Sequence, residues 1–345
     1  MASAPRTIDV MLVSLGSTPG LRVADRELAS ALERAGVRVA VIDTPAPREV
    51  RTLMLTDLFW ARAARRALAH RLAQLGPRQP RAVIYSSTTA ALLWPLPGAI
   101  RFDSPASANR PGRHGLWQRP LERRRLLQAS LLLPWSEGGL AEADAAVPGC
   151  AQRGLILPAP IELTESHGDV AGRDVAAITY AGNPSKKGFD RVLAAWRVAR
   201  RPGERLLVVG VTRELLHEAG FELPDRDIEL GGSIPQSQLR GLLRRARVFI
   251  CAPRREDYGL IQLEALAEGC QLVTTASPGP YVALEIARQL DPRLVGEDLA
   301  HALRVALDTP VADYAERAAD LVEPFGRAAL DRRITAQLLP RLGIS

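Results

Sequence analysis

Hydrophobic periodicity in this 345-residue chain switches repeatedly between short apolar runs and helical stretches. No other feature limits its fold as much. Asp9–Leu15 reads as a buried strand, followed by the turn Gly16-Ser-Thr-Pro-Gly20 and a helix over Arg22–Ala35. Leu28, Leu32 and Ala35 share one face of that helix, and Gly36 ends it. Further strands are expected at Val37–Ile42, Ala82–Ser86, Ala99–Phe102, Leu131–Pro134 and Gly154–Leu157, with a helix at Trp60–Leu75. The second half repeats the grammar. Its strands fall at Ala176–Tyr180, Arg205–Val209, Ile228–Leu230, Val248–Cys251 and Gln271–Thr275. Its helices fall at Gly188–Arg200, Gln236–Ala246, Leu260–Gly269 and Pro280–Leu290. Strands alternating with helices make βαβ units and parallel sheets. The expected class is therefore α/β, with two doubly wound domains facing a cleft; ligands in such sheets sit at the carboxyl ends of strands.

Breaker-rich Pro158–Gly168 has the composition of a hinge. It sets the expected domains at 1–158 and 159–324, followed by a helical segment at 325–345. The length suits two cores. No apolar run approaches the roughly 18–20 residues needed to cross a bilayer, and Met1–Arg6 runs into a strand with no signal peptide visible. Cys150, Cys251 and Cys270 lack metal-ligand spacing and read as buried small hydrophobes in a reducing, cytoplasmic compartment.

Charge divides unevenly. Residues 1–158 carry 21 arginines against 12 acids, a net of +9, whereas 159–345 carry 24 basic and 26 acidic residues, a net of −2. Only Lys186 and Lys187 are lysine; the arginine excess looks like the codon bias of a GC-rich bacterial genome. The pI alone is therefore weak support for nucleic-acid binding, and no stacking aromatic cluster accompanies the charge. The asymmetry does point the first half toward an anionic partner or surface, such as the inner face of a membrane. Trp60–Leu75 is a basic helix with Trp60, Ala64, Leu68, Leu72 and Leu75 on one arc and Arg62, Arg65 and Arg66 on another. A core-packed helix with a solvated face is weighed there against a helix lying on lipid. The run Arg119–Arg125 adds charge to the same half.

The chemistry concentrates in three segments of the second half. In Glu256-Asp-Tyr-Gly-Leu-Ile-Gln-Leu-Glu264 one carboxylate precedes a helix and the other stands on its second turn. Carboxylates accept paired hydrogen bonds from vicinal diols, Gly259 admits a close backbone approach, and the helix start suits a phosphate. Tyr180-Ala-Gly-Asn-Pro-Ser-Lys-Lys-Gly188 follows a strand and opens a helix; an ammonium group and a helix N-terminus both stabilise a diphosphate. Leu230-Gly-Gly-Ser-Ile-Pro235 is the third.

The first of these segments resembles the donor-binding signature of the retaining glycosyltransferases of family four (group 1 glycosyltransferases), a Glu-x7-Glu pair followed by Ala and a later Gly. The second resembles that family's Gly-Arg…Lys-Gly loop, with Asn183 in place of its arginine and the loop one residue shorter. The resemblance implies the GT-B fold of two Rossmann-like domains, the second binding a nucleoside-diphosphate sugar and the first an acceptor. It implies that Glu256 holds the sugar hydroxyls, Glu264 the ribose, and Lys187, with Lys186 and Asn183 beside it, the pyrophosphate. Tyr258, Gly259 and Leu260 would line the donor, and backbone at Ser233 and Ile234 would read the base. In the first half Gly16 matches the phosphate-facing loop. Asp103 and His114 are acceptor-side candidates, counted with Glu256 and Lys187 as catalytic. The final segment 325–345 would cross back onto the first domain. No metal and no resident cofactor are expected; the partners are the donor and a glycan, lipid-carrier or small-molecule acceptor. The alternative is a non-catalytic partner of another transferase on the same fold.

Overall fold

Strand-forming runs without polar interruption are buried on both faces only in parallel sheets covered by helices, and the chain builds two of them. The computed structural model describes residues 8–47, 52–77, 79–164, 172–223 and 226–344. Met1–Arg6 and the 165–168 stretch of the breaker-rich segment lie outside the described residues. Contacts divide the chain into one unit running to Pro160 and resuming at Arg327, and a second spanning Ile161–Gly326.

The first unit holds strands β1 (Val10–Ser14), β2 (Val39–Asp43), β3 (Ala82–Tyr85), β4 (Ala99–Phe102) and β5 (Leu132–Pro134). All are parallel, in the order β2-β1-β3-β4-β5. Its helices are α1 (Pro19–Arg34), α2 (Leu53–Leu75), α3 (Thr88–Ala91), α4 (Ala106–Asn109), α5 (Gln118–Gln128) and α6 (Glu137–Ala146). Both α1 and α2 start earlier than the apolar periodicity suggests. A cap decides each start: the Thr18 and Thr52 hydroxyls accept from the N–H groups of Leu21 and Leu55. Gly154–Leu157 is extended but forms no strand. The N–H groups of Leu155 and Leu157 donate to β5 at 2.8 Å each, after which Pro158 and Pro160 supply no donor for a ladder. The basic run at 119–125 belongs to α5. Along α2, Ala64 and Leu68 are buried and Trp60, Leu72 and Leu75 pack on the same core, while Arg62, Arg65 and Arg66 stay exposed. The core-packed reading of α2 is the one the structure shows.

The second unit holds β6 (Val175–Tyr180), β7 (Leu206–Val209), β8 (Ile228–Gly232), β9 (Ala246–Ile250) and β10 (Gln271–Val273) in the order β10-β9-β6-β7-β8. Its helices are α7 (Phe189–Ala199), α8 (Arg213–Glu218), α9 (Gln236–Arg245), α10 (Leu260–Ala267), α11 (Val282–Leu290), α12 (Leu299–Asp308) and α13 (Tyr314–Val322). The chain enters and leaves side by side, where the Ile161 N–H donates to the Phe325 carbonyl at 2.8 Å. The closing helices α14 (Arg327–Arg333) and α15 (Leu339–Arg341), joined by the π-helical turn Ile334–Leu338, then bury Leu330, Ile334, Leu338 and Leu339 in the first unit's core with Val10, Leu28 and Leu32. Paired Arg327–Glu27 and Arg34–Asp331 contacts fasten α14 to α1. Among the described residues no helix is long and apolar enough to cross a membrane.

Each sheet reverses its strand order once. In the first unit the reversal lies between β1 and β3, and in the second between β6 and β9. At such a point the loops leave adjacent strands in opposite directions and open a crevice at the strands' carboxyl ends.

Candidate active site

In the second unit the crevice is framed by the loops after β6 and β9, which carry the two lysines and Glu256. The two loops are stitched together. Gly188, with φ +62°, turns so close beneath Ala252 that an added Cβ would stand 1.9 Å from its carbonyl oxygen. The Arg254 N–H donates to the Lys186 carbonyl at 3.0 Å. Asn183 shapes the turn: its side-chain carbonyl accepts the Lys186 N–H at 3.0 Å, and its main-chain carbonyl accepts the Lys187 N–H at 2.9 Å. An asparagine here therefore builds the loop that a cation would otherwise line.

This stitching brings Lys187 Nζ to 2.6 Å from Glu256 Oε2. The Gln262 amide, buried on the inner face of α10, donates to the same oxygen at 3.0 Å. Lys186, half exposed, reaches Asp257 at 3.2 Å, and Arg255 holds the other oxygen of Asp257 at 2.6 Å. Beneath them lies a buried polar layer. Tyr281 and Thr274 share a 3.0 Å hydrogen bond, and the Cys251 thiol stands 3.3 Å from Thr274. Burial pushes the Cys251 thiol and the Tyr281 hydroxyl up, which keeps both neutral. Gly259 caps α10 at φ +93°, and a Cβ there would meet the Tyr281 ring at 2.9 Å. Packing as well as backbone conformation therefore requires glycine at this position. The Tyr258 ring is buried edge-on toward Phe325, and its carbonyl accepts the Val282 N–H. Leu260 opens α10, half buried.

Glu264 stands one helical turn further along α10, buried, with Oε1 accepting from the Gln236 amide at 2.6 Å. Burial pushes its carboxyl up to about 7, against the opposing pull of Gln236 and of the Arg240 charge. One turn on, buried Glu268 binds Arg240 at 2.6 Å and Arg244 at 2.8 Å. Two rungs thus join α9 to α10. Ser233 is exposed and Ile234 half buried in the β8–α9 loop, after Gly232 turns at φ +73°.

The remaining candidates belong to the first unit, away from these loops in sequence. Gly16 follows β1 at φ +59°, with its carbonyl held by Arg22 at 2.6 Å. Asp103 follows β4 and accepts the Ser104 N–H at 2.8 Å. His114 is exposed on the 3₁₀ turn Gly112–Gly115, a different element from the one carrying Asp103. That unit also buries a polar cluster absent from the sequence reading: Arg101 on β4 lies 3.6 Å from Asp25, which accepts the Ser14 hydroxyl at 2.6 Å. Gln236, Gln262 and this pair were missed. Gln262 and Arg101 stand out in the sequence only as polar residues inside otherwise apolar runs, and Gln236, in the polar first turn of α9, carries no such signal. Among the described residues no group of three or more His, Cys, Asp or Glu side chains is arranged to hold a metal ion.

Comparison with known proteins agrees with this layout. The sequence profile of the family described as Glycosyl transferases group 1 matches residues 175–309. A GDP-mannose:cellobiosyl-diphosphopolyprenol alpha-mannosyltransferase of Xanthomonas oryzae pv. oryzae (strain PXO99A) is 29% identical over 178 residues. The match covers 49% of this chain and 46% of that one, so the alignment spans about half the length of the relative. Among solved structures, the sucrose-phosphate synthase of Thermosynechococcus elongatus superposes with a TM-score of 0.73 at 16% identity, covering 98% of this chain and 99% of its own. WaaG, a glycosyltransferase involved in lipopolysaccharide biosynthesis, gives 0.67 at 16% identity, covering 94% and 99%. Anabaena HepE in complex with UDP and glucose gives 0.65 at 12% identity, covering 96% and 99%. Residues 175–309 therefore carry the group 1 glycosyltransferase signature, on a chain with the GT-B fold of two Rossmann-like units.

Proposed function

We propose that the chain is a retaining glycosyltransferase that moves a hexosyl group from a nucleoside-diphosphate sugar to an acceptor. The observation that carries the reading is the convergence of Lys187, Glu256 and the start of α10 at the reversal point of the second sheet, with Glu264 one turn deeper. A cation and a helix N-terminus suit the diphosphate, a carboxylate beside them suits the sugar hydroxyls, and a second carboxylate suits the ribose diol. Lys187 and its neighbour Lys186 would offset the charge that grows on the leaving diphosphate, so the reaction is written without a metal. The bond from the anomeric carbon to the phosphate oxygen breaks, and the acceptor oxygen attacks from the same face. The acceptor proton passes to the departing phosphate. Retention is supported by the likeness of Glu256–Glu264 to the family-four signature. The +9 charge of residues 1–158 supports an anionic or membrane-associated acceptor.

Thermal unfolding with UDP, GDP, ADP and TDP tests the donor site first. One nucleotide is expected to stabilise the chain selectively, and its sugars should then be turned over with release of the diphosphate. No shift with any of the four at millimolar concentration would sink the assignment. Binding without turnover on any acceptor would favour a non-catalytic partner. Nuclear magnetic resonance of the product's anomeric proton decides retention against inversion.

A further inference from the structure

Gln262 stands where an apolar side chain would ordinarily stand. It belongs to the first turn of α10, is 1% exposed, and is followed by buried Leu263, Ala265 and Leu266. Its amide nitrogen makes one bond of ordinary length, to Glu256 Oε2 at 3.0 Å; the Cys251 sulfur lies further off at 3.8 Å. Its amide oxygen is buried and has no hydrogen-bond partner among the described residues. A buried oxygen left unpaired is destabilising, and methionine would fill a similar space without one. The bond to Glu256 is what offsets that cost. Turning the amide over would set its oxygen against the carboxylate, so the nitrogen is the end that faces Glu256. The carboxylate is held through one atom only. Lys187 Nζ, at 2.6 Å, and the Gln262 amide converge on Oε2, and among the described residues none donates a hydrogen bond to Oε1.

We propose that Gln262 is a positioning residue: it holds Glu256 in place when the donor diphosphate draws Lys187 away, leaving Oε1 for the sugar hydroxyls. The inference rests on the transferase reading and names the group through which its sugar contact is kept in register. Lys187 cannot serve both anions equally, because a diphosphate beside it carries more charge than one carboxylate and attracts the ammonium group more strongly. The Lys187 side chain is 20% exposed and has room to turn. Once it turns, Glu256 needs a second donor or its side chain is free to change rotamer as the sugar arrives. Gln262 supplies that donor. Its amide is neutral, so a phosphate does not compete for it as it does for a cation. It is also fixed from beneath, by the layer in which Tyr281 bonds Thr274 and Cys251 stands 3.6 Å from the Tyr281 hydroxyl. Gln262 itself touches no donor atom; its effect passes through Glu256.

Calorimetric titration of the full chain with UDP, GDP, ADP and TDP, then with the glucose ester of each and the mannose ester of GDP, tests it. Gln262→Met should leave the affinity for the bare diphosphate within about twofold and weaken the sugar ester roughly tenfold to a hundredfold, the worth of a hydrogen bond to a charged group. Glu256→Ala should weaken the ester by at least as much, and adding Gln262→Met to it should change nothing further. A residue that merely packs α10 would instead weaken diphosphate and ester alike, or add its loss to that of Glu256→Ala. Either result would overturn the proposal, as would an unchanged ester affinity in Gln262→Met. Gln262→Glu provides a second readout, because a carboxyl at that position donates to Glu256 only while it is protonated. Its ester affinity relative to wild type should be near one at about pH 6 and fall roughly tenfold by about pH 8. The other titratable groups around that position are Glu256, Lys187 and the neutral Cys251 thiol and Tyr281 hydroxyl. A ratio that ignores pH would count against the proposal. Diphosphate binding without these effects would sink the role of Gln262 alone; a wild type that binds none of the ligands would remove the transferase reading and this inference with it.

Discussion

If Glu264 meets the ribose as proposed, pH is a direct probe of the nucleotide site. Its carboxyl is pushed from the ordinary 4.5 up to about 7, chiefly because burial penalises the charged form. Between those two values the folded chain holds a proton that the unfolded chain has released, so stability falls as pH rises through that window. The loss is complete above about 7.5 and amounts to about 3 kcal/mol. For a unit of this size that corresponds to roughly 6–12 °C in unfolding temperature. Glu264→Gln removes the charge while leaving an amide for Gln236 to meet. The gap between variant and wild type should therefore widen in the variant's favour from pH 5 to pH 8 in calorimetric scans. A diol donating to the carboxylate favours the ionised form, so nucleotide binding at pH 6 should release close to one proton, about 0.9 if the bound group ionises fully. Calorimetry in two buffers of different ionisation heat measures that number. An unfolding gap that ignores pH would refute the burial argument. Proton release that persists in Glu264→Gln would remove Glu264 from the binding event.

Two further outcomes follow from the same loops. Lys187→Ala should lower transfer or donor hydrolysis by roughly 10²–10³ with a smaller change in diphosphate affinity, because the ammonium group acts most as charge builds on the leaving group; an unchanged kcat would reject that role. Gly188→Ala places a Cβ 1.9 Å from the Ala252 carbonyl and should cost roughly 2–4 kcal/mol. Gly203→Ala, also at positive φ but with open space around it, should cost only about 1 kcal/mol. Equal losses in the two unfolding measurements would show that the close contact between the β6 and β9 loops contributes nothing.

The alternation of apolar runs with helical stretches was enough to read the architecture. All ten sheet strands were placed within two residues of where they lie, since the inner strands, buried on both faces, are apolar throughout and the partly exposed edge strands β2 and β8 still keep aliphatic residues. Helix starts were less legible, because Thr18 and Thr52 act through single capping bonds that hydrophobic spacing does not register. The basic run at 119–125 hid a helix whose buried face is Gln118, Glu122 and Leu126. Two of those residues are polar, so no apolar stripe announced it. The sequence singled out Glu256, Glu264, Lys186 and Lys187 through the resemblance of their two segments to a family signature, since such a signature is a local property of the chain. The tertiary structure decided what they face: which carboxylate meets Lys187, that Glu264 is desolvated against Gln236, and that Asn183 folds the loop it sits in. Those facts depend on strands β6 and β9 lying side by side although some seventy residues separate them in the chain. Hydrogen bonding and desolvation act over a few ångströms of space, and only the order of strands in the sheet determines which residues come that close.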